Sequence, residues 1–186
     1  MGQDIASAKP LTFVAFEKAI RKAAEVYGET RFIVVGRGSV AVTLPDSSDE
    51  LRRTADIDLF APFDPAKIDA WAAMDSTVSV ESAFFVENGF YIERVGEWTL
   101  LSQPAGWQGR AKQLSIDEIE VFVLHSLDLA YNKLEAGRPK DIEFMKEGLR
   151  CKAYHYEEVR DFIAQHAPDR DTRELILENL RLAASE

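Results

Sequence analysis

Asp56 and Asp58 stand two residues apart inside the apolar run "ADIDLF" (residues 55–60), and an earlier apolar run, "RFIVVG", leads into the turn "GRGS" (residues 36–39). In a strand successive side chains alternate faces, so the two aspartates point the same way, with Cα atoms roughly 6.6 Å apart, while Ala55, Ile57 and Leu59 face the core. Two carboxylates on one surface repel, and one keeps its proton unless a cation removes the conflict. Mg²⁺ favours such oxygen ligands together with substrate phosphates. Gly36 and Gly38, on either side of Arg37, let the backbone approach a ligand closely, and a helix begun by Ser39 turns free N–H groups towards an anion. The pair of motifs predicts adjoining sites: Asp56 and Asp58 for metal, Gly36, Arg37, Gly38 and Ser39 for phosphate. Each motif alone has a plainer reading, "DID" as the polar side of a half-buried strand and "GRGS" as a tight turn whose serine caps a helix.

The elements that must carry these groups are legible from periodicity. Apolar residues at helical spacing over residues 12–27 (Phe13, Phe16, Ile20, Ala23, Ala24), with Gly28 as a stop, predict a helix. Residues 32–35 read as a buried strand, 39–44 as a short helix stopped by Pro45, "PDSSDELRRT" as a polar loop and 55–60 as a second strand. "DPAKIDAWAAM" predicts a helix, "GFYIERVGEWTLL" a hairpin turning at Gly96 and Glu97, and residues 119–124 a further strand. From Ser126, read as a cap, the pattern is helical: one helix ends at Gly137, another opens at Pro139, and two more lie near residues 156–165 and 172–184. The expected fold is α/β (α+β): a mixed sheet of about five strands flanked by helices, with a helical C-terminal third. Residues 1–124 would form the α/β core and 125–186 a helical region packed on it.

Composition bounds the function. With 46% hydrophobic and 29% charged residues the chain reads as globular rather than disordered. Charge breaks every apolar run short of the ~20 residues a bilayer span requires, so no membrane partner is expected. The polar start "MGQDIASAKP" carries no secretory pattern, and the lone Cys151 fits a reducing compartment, so the cytoplasm is the expected location. Three scattered histidines give no soft-metal spacing. A net charge of −10 argues against broad nucleic-acid binding but leaves room for local basic spots, at Arg52 and Arg53, Arg110 and Lys112, residues 133–140, and Arg150 with Lys152.

A strand ending in glycine and serine, a short helix, and a strand carrying Asp-x-Asp resembles the nucleotidyltransferase superfamily typified by polymerase beta. There the glycine-serine turn holds a triphosphate and the paired aspartates bind Mg²⁺; the matching positions are Gly38, Ser39, Asp56 and Asp58. The sequence departs from that pattern in the long turn-to-aspartate spacing and in Arg37. "LHSLDLAYNKLEAGRPKDIEFMKEGL" (residues 124–149) is similar to the C-terminal signature of bacterial nucleotidyltransferases related to abortive-infection toxins, and "QPAGWQGR" resembles uncharacterised nucleotidyltransferases of this length. The first resemblance implies that Lys133 and Asp141 belong to the site.

Lys133 lies off the stripe of Leu127, Ala130, Tyr131 and Leu134, so it is placed to reach a triphosphate, and its loss is expected to leave stability unchanged. Glu93, on the strand "FYIERV", is the expected third carboxylate and general base, with Glu97 and Glu120 as alternatives. These readings predict a Mg²⁺-dependent enzyme moving a nucleoside monophosphate from a nucleoside triphosphate to an RNA or protein acceptor, toxin-like. The alternative is a nucleotide-binding or antitoxin-like module of the same fold without the chemistry.

Overall fold

The computed structural model describes residues 8–61 and 65–185; the polar N-terminal start and the first residue of "DPAKIDAWAAM" lie outside them. A five-stranded mixed sheet carries β1 (Arg31–Val35), β2 (Asp56–Phe60), β3 (Tyr91–Arg94), β4 (Lys112–Ile116) and β5 (Ile119–Val123), ordered β3-β2-β1-β5-β4. β1 pairs antiparallel with β2 and parallel with β5, β3 runs parallel to β2, and β4 closes antiparallel on β5. Eleven helices are described: α1 (Phe13–Tyr27), α2 (Val40–Thr43), α3 (Asp49–Arg52), α4 (Ile68–Asp75), α5 (Ala83–Asn88), α6 (Trp98–Leu101), α7 (Trp107–Arg110), α8 (Ser126–Ala136), α9 (Pro139–Arg150), α10 (Tyr156–His166) and α11 (Arg170–Ala184). Among the described residues no helix is long and apolar enough to cross a membrane.

The alternation of β1 explains the layering. Phe32 and Val34 face one apolar cluster, built with Phe16, Ala19, Ile20 and Ala23 of α1 and with Ile57, Leu59, Ile92, Val121 and Val123 of the neighbouring strands. Ile33 and Val35 face the other, built with Leu129 and Leu134 of α8, Phe144 and Met145 of α9, Ile163 of α10 and Ile176 of α11. α1 starts where the Thr12 hydroxyl accepts from the Ala15 amide at 3.2 Å, and it stops at Gly28, whose φ of 66° is left-handed.

Several expectations are corrected. "GFYIERVGEWTLL" is no hairpin: β3 takes its strand partner from β2, and after Gly96 the amides of Thr99 and Leu100 return to the carbonyls of Gly96 and Glu97 at 3.0 and 2.8 Å, winding the second half into α6. The hairpin lies later, where β4 and β5 meet through Asp117 and Glu118, with Asp117 at a φ of 55°. Its turn lacks the glycine that signals such a turn, which is why β4 escaped notice. α5 was likewise unforeseen, and the "PDSSDELRRT" loop contains α3, whose Ser48 hydroxyl accepts from the Leu51 amide at 3.2 Å. His125 rather than Ser126 caps α8, its Nδ1 accepting from the Leu127 amide at 3.2 Å. Ala55 precedes β2 and is only half-buried, whereas Ile57 and Leu59 are fully buried as expected.

Candidate functional site

Register assembles the carboxylates. Asp58 lies opposite Val35 on β1 and opposite Glu93 on β3, so both acids stand on the sheet face that α8 to α11 cover elsewhere. Asp56, two residues earlier, shares that face. Carboxylate oxygens of Asp56, Asp58 and Glu93 all lie within 4.8 Å of one another, the one such trio among the described residues. Asp56 and Asp58 are partly buried, and Glu93 is exposed. The two alternatives for the third acid stand apart: Glu120 pairs with Arg31 at 2.6 Å and with Gln113 at 2.7 Å, and Glu97 lies at the start of α6, outside the trio.

The turn after β1 packs directly against this trio. A Cβ on Gly36 would fall 1.9 Å from the Asp58 Oδ2, and its φ is 64°, so both space and backbone require glycine there. A Cβ on Gly38 would meet Ile57 only at ordinary contact distance. The Ser39 hydroxyl is fully buried and donates to the Gly36 carbonyl at 2.8 Å, closing the turn instead of capping α2 with its side chain. Arg37 points elsewhere: its guanidinium donates to the Arg53 carbonyl at 2.8 Å and stacks 4.8 Å over the Phe144 ring. What this turn leaves towards Asp58 is therefore glycine backbone rather than the serine or arginine side chain. We expect Gly36→Ala to cut Mg²⁺ affinity about tenfold or more in titration calorimetry, because the methyl group must displace the Asp58 carboxylate.

α8 and α9 supply the cations. Lys133, 16% exposed, pairs with Asp141 at 2.9 Å, and Arg138 pairs with the same fully buried carboxylate at 2.5 Å. Burial works against the charge of Asp141, yet Arg138 and Lys133 together hold its carboxyl below the usual range. Burial pushes the Asp58 carboxyl up to about 7, the charges of Asp56 and Glu93 add to the rise, and Lys133 and Lys140 pull against it. Both lysines thus act on the acidic trio through space.

Sequence and geometry converge here on one superfamily. Over residues 13–181 the chain matches the family described as nucleotidyltransferase of unknown function (DUF6036). The chain belongs to this family. No curated protein and no solved structure matches it.

Three residues of this nucleotidyltransferase-family site escaped the sequence reading. The Thr54 hydroxyl, almost fully buried, donates to Asp56 Oδ1 at 2.5 Å and fixes that carboxylate. Tyr91 lies opposite Asp56 in the register, and burial together with Asp56, Glu93 and Asp58 pushes its phenol up to about 12, so it is a protonated donor at neutral pH. Lys140, one residue before Asp141, joins Lys133 in acting on Asp58. The signal for Tyr91 was available: it stands two residues before Glu93 on a strand, hence on the same face. "QPAGWQGR" has a structural explanation. Its Arg110 grips the fully buried Asp128 of α8 at 2.6 and 3.1 Å while donating to the carbonyls of Ala105 and Pro104, which straps this segment to the helix that carries Lys133.

Proposed function

We propose that the protein is a Mg²⁺-dependent nucleotidyltransferase that moves a nucleoside monophosphate from a nucleoside triphosphate to a hydroxyl acceptor on RNA or protein, as a toxin-like enzyme would. The observation that carries this reading is the trio of Asp56, Asp58 and Glu93, with oxygens within 4.8 Å, pressed against a glycine turn. Three hard oxygen donors, one of them a carboxyl held near neutrality by burial, suit Mg²⁺ and its preference for carboxylates shared with phosphates. The ions supply charge stabilisation at the attacking and leaving oxygens of an in-line displacement.

In this reading Asp56 and Asp58 would be the metal ligands, with Glu93 the third carboxylate beside the metal site, and Thr54 keeps Asp56 in place. The backbone of residues 36–39 faces the phosphates, and Lys133 neutralises charge on the departing pyrophosphate, with Asp141 holding Lys133 and Arg138. Glu93 takes the proton of the acceptor hydroxyl as its oxygen bonds to the α-phosphorus and the bond to pyrophosphate breaks.

A second reading, nucleotide binding without transfer, draws support from Lys133 and Ser39, whose polar groups are both engaged within the protein. One experiment separates the two: α-labelled triphosphates incubated with total cellular RNA and total protein, with and without Mg²⁺. Mg²⁺-dependent label on either pool is expected. Triphosphate-induced thermal stabilisation without label would establish the binding module instead.

A further inference from the structure

We propose that Tyr91 is the positioning residue for the acceptor, its phenol hydroxyl binding the group that bears the attacked hydroxyl; this rests on the transferase reading above. Tyr91 and Asp56 face each other across β3 and β2, and Tyr91 and Glu93 share a face two residues apart. The tyrosine ring is half-buried and held edge-on by Phe85, with centroids 5.9 Å apart, so the side chain has a fixed wall behind it.

Its hydroxyl has no hydrogen-bond partner among the described residues. Of the other polar groups near the trio, Thr54 is committed to Asp56 at 2.5 Å, Ser39 to the Gly36 carbonyl at 2.8 Å, Arg37 to the Arg53 carbonyl at 2.8 Å and Lys133 to Asp141 at 2.9 Å. A donor left free beside three carboxylates is placed for a ligand.

The sheet order says which ligand. Gly36 closes on Asp58 from the β1 side, so the glycine turn that faces the phosphates in this reading stands on that side of the trio. β3 lies on the other side of β2. In-line displacement sets the attacking and leaving oxygens on opposite sides of the phosphorus. With pyrophosphate leaving towards Gly36, the acceptor approaches over β3, where Glu93 and Tyr91 stand. The chemistry selects an acceptor with a hydrogen-bond-accepting group beside its hydroxyl.

Tyr91→Phe keeps the ring against Phe85 and removes only the hydroxyl, so the variant retains the packing of the fold. Transfer of label from the α-labelled triphosphate that reacts best is measured against increasing total RNA and total protein, and the affinity for the same triphosphate with Mg²⁺ is measured by calorimetry. About tenfold weaker labelling is expected at limiting acceptor, recovering as acceptor is raised, with triphosphate affinity within twofold of wild type. An unchanged acceptor curve, or a triphosphate affinity that falls in step with labelling, would overturn the assignment of Tyr91 while leaving the transferase reading standing. A wild-type chain that binds Mg²⁺ and triphosphate but labels neither pool would bring down both.

Discussion

Asp58→Asn is expected to lower nucleotide transfer by at least about a hundredfold and, without metal, to make the protein more stable at pH 8. The loss of transfer follows from removing a metal ligand whose charge stabilisation amounts to several kcal/mol. The gain in stability follows from the folded environment. The Asp58 carboxyl sits at about 7 against an ordinary value of 3.8, chiefly through burial, so between these values the folded chain holds a proton that the unfolded chain has released. Its contribution to stability is therefore full below the ordinary value, falls as pH rises towards 7, and stays low above it. Asparagine carries no such proton, so the variant should lack that part of the slope. In the proposed site Mg²⁺ binds the ionised form, so its effect on the wild-type melting temperature should grow as pH passes through 7. Melting curves from pH 4 to 9, with and without Mg²⁺, provide the check; parallel wild-type and variant profiles would refute the coupling.

The second large effect is expected at Asp141. Its carboxylate is fully buried and gripped by Lys133 and Arg138, so Asp141→Ala strips two cations of their partner and should destabilise the chain by about 1.5–3 kcal/mol in denaturant titration. The same ion pair revises what Lys133→Ala can do. From helical spacing alone Lys133 reads as a side chain whose loss leaves stability unchanged, but its removal leaves a buried carboxylate with Arg138 alone, so the variant should lose stability as well as triphosphate affinity. Lys133→Arg, which keeps the charge, should recover much of the stability. If it restored full transfer as well, Lys133 would be acting only through charge and not through a fitted phosphate contact.

The parts of the fold read correctly are those with strong local signals: the periodic α1 with its Gly28 stop, the β-branched β1, the alternating β2 and the helical residues beyond 125. The false hairpin and the missed β4 share one cause. β-forming residues such as Trp98 and Leu101 were read as strand, although no neighbouring strand pairs with them. Lys112 to Ile116, polar at three of its five positions, became a strand because β5 offered an edge. Asp56 and Asp58 were legible because a strand spacing suffices to put them on one face. The closeness of Glu93 to the aspartates depended on β3 pairing parallel with β2, which no local pattern encodes, whereas Tyr91 shares the face of Glu93 by strand spacing alone.

The two-sided packing of β1 also orders events during synthesis. The carboxylates and the glycine turn precede α8 to α11, but Val35, Val40 and Leu51 find most of their apolar partners in those helices, and Lys133 arrives with them. On a ribosome adding roughly 5–20 residues per second, the nascent chain carries an acidic trio on an uncovered sheet face, without its phosphate-facing lysine, until the last third has emerged and docked. Activity that depends on both parts therefore appears only once α8 to α11 have docked.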